Sequence, residues 1–138
     1  IAQSMGGIFA VQAALQKKDL VKGLVLIATS GGIDLSPFHV QDWRNAYQST
    51  FLQHPNWFVN TQVDYSLQLN QIQQPVLLLW GDCDPISPVA VGHYLDQQFP
   101  NSSLHIVQGG DHLFAAKAVL ETAEKVKDYL MCLEQKEV

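Results

Sequence analysis

The sequence predicts an α/β domain built on a parallel sheet. Three observations carry this. Residues 23–28 (GLVLIA) and 75–80 (PVLLLW) are continuous apolar runs without polar alternation, the pattern of strands buried on both faces. Each is closed by a glycine-rich turn, as is the weaker run SLHIV at 103–107. Segments with helical spacing alternate with these runs.

In chain order, residues 8–15 (IFAVQAAL) are small and apolar on nearly every side, which suits a helix packed deep against a sheet. Lys17, Lys18 and Asp19 end it. The strand at 23–28 follows. Residues 31–74 form an insertion of a different kind, polar and rich in Gln and Asn, dotted with Phe38, Trp43, Phe51, Trp57 and Phe58. Its patterning predicts short helices at 40–53 and 63–69, separated by Pro55. Aromatics there suit a lid over an apolar pocket or a small satellite core. The strand at 75–80, a helix over 88–98 and the strand at 103–107 make one βαβ unit. The final helix carries Val119, Ala123, Val126, Leu130 and Leu133 at spacings of four and three, while Glu121, Glu124, Lys125 and Lys127 mostly avoid that stripe. This gives three parallel strands at most.

Of the 138 residues, 47% are hydrophobic and 15% charged, an ordinary globular balance. Thirteen acidic residues against eight basic ones leave a net charge of -5, and the one basic cluster, Lys17, Lys18 and Lys22, reads as a solvated helix end. A nucleic-acid surface is therefore not expected. No apolar run approaches the roughly 20 residues of a membrane span. Cys83 and Cys132 form neither a CxxC motif nor a disulfide framework, which suits a cytoplasmic setting. The chain opens without an initiator Met or a signal-peptide pattern, so we expect a part of a larger protein.

Three punctuated positions carry chemistry. Ala2-Gln3-Ser4-Met5-Gly6 has the small-x-Ser-x-small form of a nucleophile elbow, where small neighbours let strand and helix backbones touch. The alternative is a serine that caps the helix. Asp84 lies in Gly81-Asp82-Cys83-Asp84-Pro85, directly after a buried strand, where parallel sheets place functional groups. Either aspartate could instead cap a turn, and Asp82 competes for the role, but Asp84 stands further out in the loop. His112 ends Gly109-Gly110-Asp111-His112, again after a strand, where its ring can swing toward the serine as general base. His39 and His54 in the insertion, His93 in a helix and His105 in a strand fit that role less well. The order Ser, Asp, His along one parallel sheet is that of a triad.

At these residues the chain resembles the α/β-hydrolase family, in SMGG at 4–7, PVLLLWGDCDPISP at 75–88 and GGDH at 109–112. The resemblance covers the whole chain and implies the C-terminal part of an α/β-hydrolase sheet, with flanking helices and a helical lid over 31–74. It implies Ser4 as nucleophile, His112 as base, Asp84 as acid and the Met5 N–H as one oxyanion donor. The loop that supplies the second donor in this family would precede Ile1, and one lost donor costs about 10²- to 10³-fold in rate. The implied activity is hydrolysis of a carboxylic ester or thioester without metal or cofactor. Leu113, Phe114, Trp57 and Phe58 are the candidate lining of a pocket for a small, largely apolar substrate. Fold and triad leave carbon–carbon bond hydrolysis, peptidase or lyase action open, as well as an incomplete fragment or a binding protein. We also expect residues 24–27 to present an unpaired strand edge, to be completed by a missing N-terminal half or a second chain.

Overall fold

Local hydrophobic patterning becomes a sheet with two covered faces. The structure is a computed structural model and describes residues 1–136. Four parallel strands, β1 (Ala2–Gln3), β2 (Leu24–Ile27), β3 (Val76–Gly81) and β4 (Ser102–Val107), stand in the spatial order β1-β2-β3-β4. All residues of β2 and β3 are buried, as their unbroken apolar runs predict. Period-two alternation divides them between two cores. Leu24, Leu26, Val76, Leu78 and Trp80 face one side, with Val11 and Ala14 of α1 (Gly6–Gln16) and Val91 and Leu95 of α4 (Val89–Gln98). Val25, Ile27, Leu77 and Leu79 face the other. There they meet Phe114 of α5 (Phe114–Lys117), with Val126 and Tyr129 of α6 (Val119–Lys136) packed against the cluster.

The expected limit of three strands is exceeded because Ala2 and Gln3, directly before Ser4, pair with Leu26 and Ile27. The edge expected along residues 24–27 is therefore partly covered, and the outer position belongs to β1. Nor does the apolar stripe of α6 sink as a whole into the core. Thr122 is its one buried residue among those described, whereas Val119 is 55% and Leu130 42% exposed. Val119, Val126 and Leu130 instead line an open groove of about 520 Å³, shared with Ile1 and Met131.

In the insertion, the helix expected over 40–53 forms over its middle as α2 (Arg44–Thr50), and an unexpected short helix, α3 (Trp57–Asn60), follows Pro55, with single 3₁₀ turns at Ser36–Phe38 and Leu69–Gln71. No helix spans 63–69. The Asp64 carboxylate accepts the Ser66 N–H at 3.0 Å, and the Tyr65 N–H donates to the Gly32 carbonyl at 2.8 Å. Those local bonds outcompete a weak apolar periodicity. Leu69 and Ile72, both fully buried, anchor the insertion in the core on the α1 side. Its aromatics cluster among themselves: Tyr47 stacks on Phe58 at 4.9 Å, and Trp43 meets Phe58 edge-on at 5.9 Å. Among the described residues, no helix is long and apolar enough to cross a membrane.

Candidate active site

The sheet delivers three loops to the C-terminal ends of its strands. Ser4 occupies the turn from β1 into α1 with φ of +51°, a left-handed conformation that costs a residue with a Cβ about 1–2 kcal/mol. Its backbone is held on both sides: Ser4 N–H donates to the Ile27 carbonyl at 2.9 Å, and its carbonyl accepts Gly7 N–H at 3.0 Å. The helix-capping alternative fails, since the N-cap position of α1 is Met5 and no side chain caps it. The close approach demanded by the motif is visible at Gly7, where an added Cβ would stand 2.2 Å from Thr29 Oγ1.

Asp84 follows β3 and is buried, its side chain fully so. One carboxylate oxygen, Oδ1, accepts the N–H groups of Ile86 at 2.8 Å and Ser87 at 2.9 Å. The other, Oδ2, stands 2.9 Å from His112 Nδ1. Asp82 does a different job: its Oδ1 accepts Gly109 N–H at 2.6 Å and ties the β3 turn to the glycine loop before His112. Gly81 has no room for a side chain, as a Cβ would lie 2.2 Å from the Gly110 carbonyl oxygen. Gly109 takes φ of +72° to turn that loop.

His112 Nε2 lies 2.9 Å from Ser4 Oγ, and the imidazole is 16% exposed. A carboxylate can only accept, so Nδ1 carries the proton toward Asp84 and Nε2 of the neutral ring is left to accept from Ser4. The structure thus brings Ser4, His112 and Asp84 into one hydrogen-bonded line. Such a line can draw a proton from a serine hydroxyl as it attacks and stabilise the resulting imidazolium. Met5, next to Ser4, opens α1, where backbone N–H groups suit a developing negative charge. The other histidines are occupied elsewhere or outlying. His105 pairs with Glu121 at 2.7 Å, His54 with the Tyr47 hydroxyl at 2.5 Å, and His39 and His93 are exposed.

Of the residues expected to line a pocket, Phe114 is corrected. It is 1% exposed and packs beneath the histidine loop in the core on the α6 side, because α5 turns the chain back toward Val107 and Leu79 directly after Leu113. Leu113 and Trp57 are exposed; Trp57 meets Phe9 of α1 edge-on at 6.2 Å, and Phe58 is half-buried on Tyr47. The loop electrostatics are local. The Lys117 ammonium bonded to Asp111 holds that carboxyl below the usual carboxylate range, and the Leu113 N–H adds to the effect. The hydrogen bond and charge of Asp82 push the Cys83 thiol up. Among the described residues, no group of three or more His, Cys, Asp or Glu is gathered where a metal could be held.

Sequence reasoning missed Thr29 and Ser87, both buried at this site. Ser87 stands three residues after Asp84, the spacing at which a side-chain carboxylate reaches a backbone N–H, so its signal was present. Thr29, one residue past a strand, carried none.

A parallel sheet flanked by helices, with a serine elbow, an acid loop and a histidine loop at the strand ends, defines the hydrolase class of α/β proteins. A profile of the alpha/beta hydrolase fold matches residues 49–117, half of the chain, a span that includes the Asp84 and His112 loops. The chain belongs to the α/β-hydrolase family. It is 24% identical over 174 aligned positions to the uncharacterized hydrolase YugF of Bacillus subtilis (strain 168), covering 94% of this chain and 64% of that protein. It is 41% identical over 69 positions to the poly(3-hydroxyalkanoate) depolymerase of Ectopseudomonas oleovorans, covering 50% of this chain and 23% of that protein. The chain therefore spans less than two thirds of either relative. Among solved structures, it superposes on MGS-MChE2, an alpha/beta hydrolase enzyme from the metagenome of lagoon sediments at Mar Chica, Morocco. The TM-score is 0.75 at 16% identity, over 99% of this chain and 60% of the other. A thermophilic esterase from Thermogutta terrifontis gives a TM-score of 0.74 at 20% identity, over 95% and 63% of the two chains.

Proposed function

We propose that the chain carries the catalytic centre of a serine hydrolase acting on a carboxylic ester or thioester, with Ser4 as nucleophile, His112 as general base and Asp84 as the orienting carboxylate. The observation that carries this reading is the unbroken line Ser4 Oγ, His112, Asp84 Oδ2, with both hydrogen bonds at 2.9 Å. The strained φ of Ser4 supports it, because backbone strain of this kind concentrates at functional positions. His112 takes the Ser4 proton as Oγ attacks the carbonyl carbon, and the Met5 N–H holds the oxyanion. Asp84 stabilises the imidazolium, which then protonates the leaving group. Water attacks the acyl-enzyme with His112 again as base, and Ser4 is regenerated.

Residues 31–74 act as a lid, and Leu113, Trp57 and Phe58 offer apolar contacts for the acyl or alkyl part of a small substrate. The relative named as a poly(3-hydroxyalkanoate) depolymerase, whose substrate's units are joined by ester bonds, supports the choice of bond. The test is steady-state and burst kinetics with p-nitrophenyl esters. We expect hydrolysis of apolar acyl esters that is faster than that of an acyl chain ending in a carboxylate and is absent in Ser4→Ala. Turnover that survives Ser4→Ala would overturn the assignment.

A further inference from the structure

The sheet order sets a problem that the three site residues do not solve by themselves. Ser4 follows β1 and Asp84 follows β3, so the strand between them, β2, separates nucleophile from acid by two strand spacings, roughly 10 Å. His112 comes from beyond β3 and must span that gap with both of its nitrogens. Whatever fixes the end of β2 therefore fixes the distance His112 has to bridge.

Thr29 stands at that end and is 1% exposed. Its hydroxyl donates to the Ser4 carbonyl at 2.5 Å and accepts the Gly31 N–H at 3.2 Å. Its carbonyl accepts the hydroxyl of Ser87 at 3.2 Å, and Ser87, 2% exposed, donates its own N–H to Asp84 Oδ1 at 2.9 Å. A continuous path thus runs from the nucleophile's own backbone, through Thr29 and Ser87, to the acid's carboxylate, and it is buried from Thr29 onward. Gly7 packs so closely against the Thr29 side chain that it leaves no room for a Cβ there. Buried hydrogen bonds of this kind are unscreened, and water does not replace them when one partner is removed.

We propose that Thr29 is a positioning residue of the serine hydrolase site: through Ser4 on one side and Ser87 on the other, it sets the spacing between nucleophile and acid so that His112 bonds both at once. The inference rests on the functional reading above. It assigns Thr29 no contact with substrate. Removing the hydroxyl while keeping the shape should leave the fold intact and let the elbow drift.

The test compares Thr29→Val, which is isosteric, with Thr29→Ser, which keeps the hydroxyl. The readout is the second-order rate of Ser4 phosphonylation by a fluorophosphonate, normalised to the folded fraction. We expect Thr29→Val to react on the order of 10- to 100-fold more slowly, since an ångström of misplacement can cost that much, and Thr29→Ser to recover most of the rate. A Thr29→Val rate equal to wild type overturns the proposal. In the same samples, the downfield NMR proton of His112 Nδ1–H should be present in wild type and Thr29→Ser and lost or broadened in Thr29→Val; an unchanged resonance also overturns it. A folded wild type that does not label defeats the serine hydrolase reading, and the NMR comparison then decides the positioning role on its own. Should Thr29→Val fail to fold, Ser87→Ala breaks the same path one link away: slowed labelling supports the proposal, and an unchanged rate overturns it.

Discussion

The roles proposed for Ser4 and Asp84 rest on constraints on backbone and burial. Asp84 is out of contact with water, and both its oxygens are engaged, one by two backbone N–H groups and one by His112. Asp84→Asn keeps the shape but can present an amide N–H to Nδ1, which favours the wrong imidazole tautomer. We expect kcat to fall by about 10³- to 10⁴-fold with little change in the folding midpoint, measured by ester hydrolysis and thermal unfolding side by side. Cys83 makes a second residue-scale case. The Asp82 carboxylate, followed by lesser contributions from burial and Asp111, raises its thiol pKa, so less thiolate is present at a given pH and the sulfur is a poorer nucleophile. Asp82→Asn should speed iodoacetamide modification of Cys83 near pH 8, read by peptide mass. That variant also weakens the bond to Gly109, so a fall in ester hydrolysis should accompany the faster alkylation.

At the scale of elements, two contacts decide how helices meet the sheet. Gly7 lets α1 sit on Thr29. Gly7→Ala would gain about 1 kcal/mol of helix propensity. The new Cβ would fall 2.2 Å from an oxygen fixed by two hydrogen bonds, and overpacking of this kind costs about 1–3 kcal/mol. The clash should win, because the oxygen it meets cannot move aside, with a net loss of up to about 2 kcal/mol in urea unfolding. On the other face, the Tyr129 hydroxyl of α6 donates to the Pro75 carbonyl at 2.7 Å, and burial pushes its pKa up to about 12 from 10.0. A tyrosine raised in the folded state contributes stability that is complete below pH 10 and lost as pH climbs toward 12. Tyr129→Phe should flatten the alkaline decline across that window. It should cost only about 0.5–1.5 kcal/mol at neutral pH, since the Pro75 carbonyl keeps its bond from Leu24 N–H.

These contacts also mark how far the sequence could be read. β2 and β3 were legible because a strand buried on both faces must be apolar throughout, and the Asp84 and His112 loops because glycine punctuates both. β1 was not, as two residues of strand leave no periodicity. In the insertion, the Asp64 to Ser66 turn overrides a helical pattern, and adjacency to His112 says nothing about the direction in which the short helix carrying Phe114 turns. Thr29 was invisible because its role depends on the two strands that flank β2, and that relation exists only once the sheet is assembled.

For the molecule as a whole, the two faces are covered unequally. The α1 and α4 side closes over Trp80 and Leu78, with Leu69 and Ile72 of the insertion sealing it. The α6 side leaves Val119, Leu130 and Met131 exposed along a groove that also exposes Ile1. Contiguous apolar surface of that kind binds amphiphilic dyes. We expect ANS fluorescence to rise with the folded chain and Leu130→Lys to reduce it, with no change in the rate of Ser4 labelling. At the strand-end loops, the proposed chemistry depends on Ser4 being an activated nucleophile. Intact-mass analysis after incubation with a fluorophosphonate tests that directly. One phosphonyl adduct on the folded chain, absent in both Ser4→Ala and His112→Ala, is the predicted result. An adduct that persists in Ser4→Ala, or none on folded wild-type chain, would contradict the account.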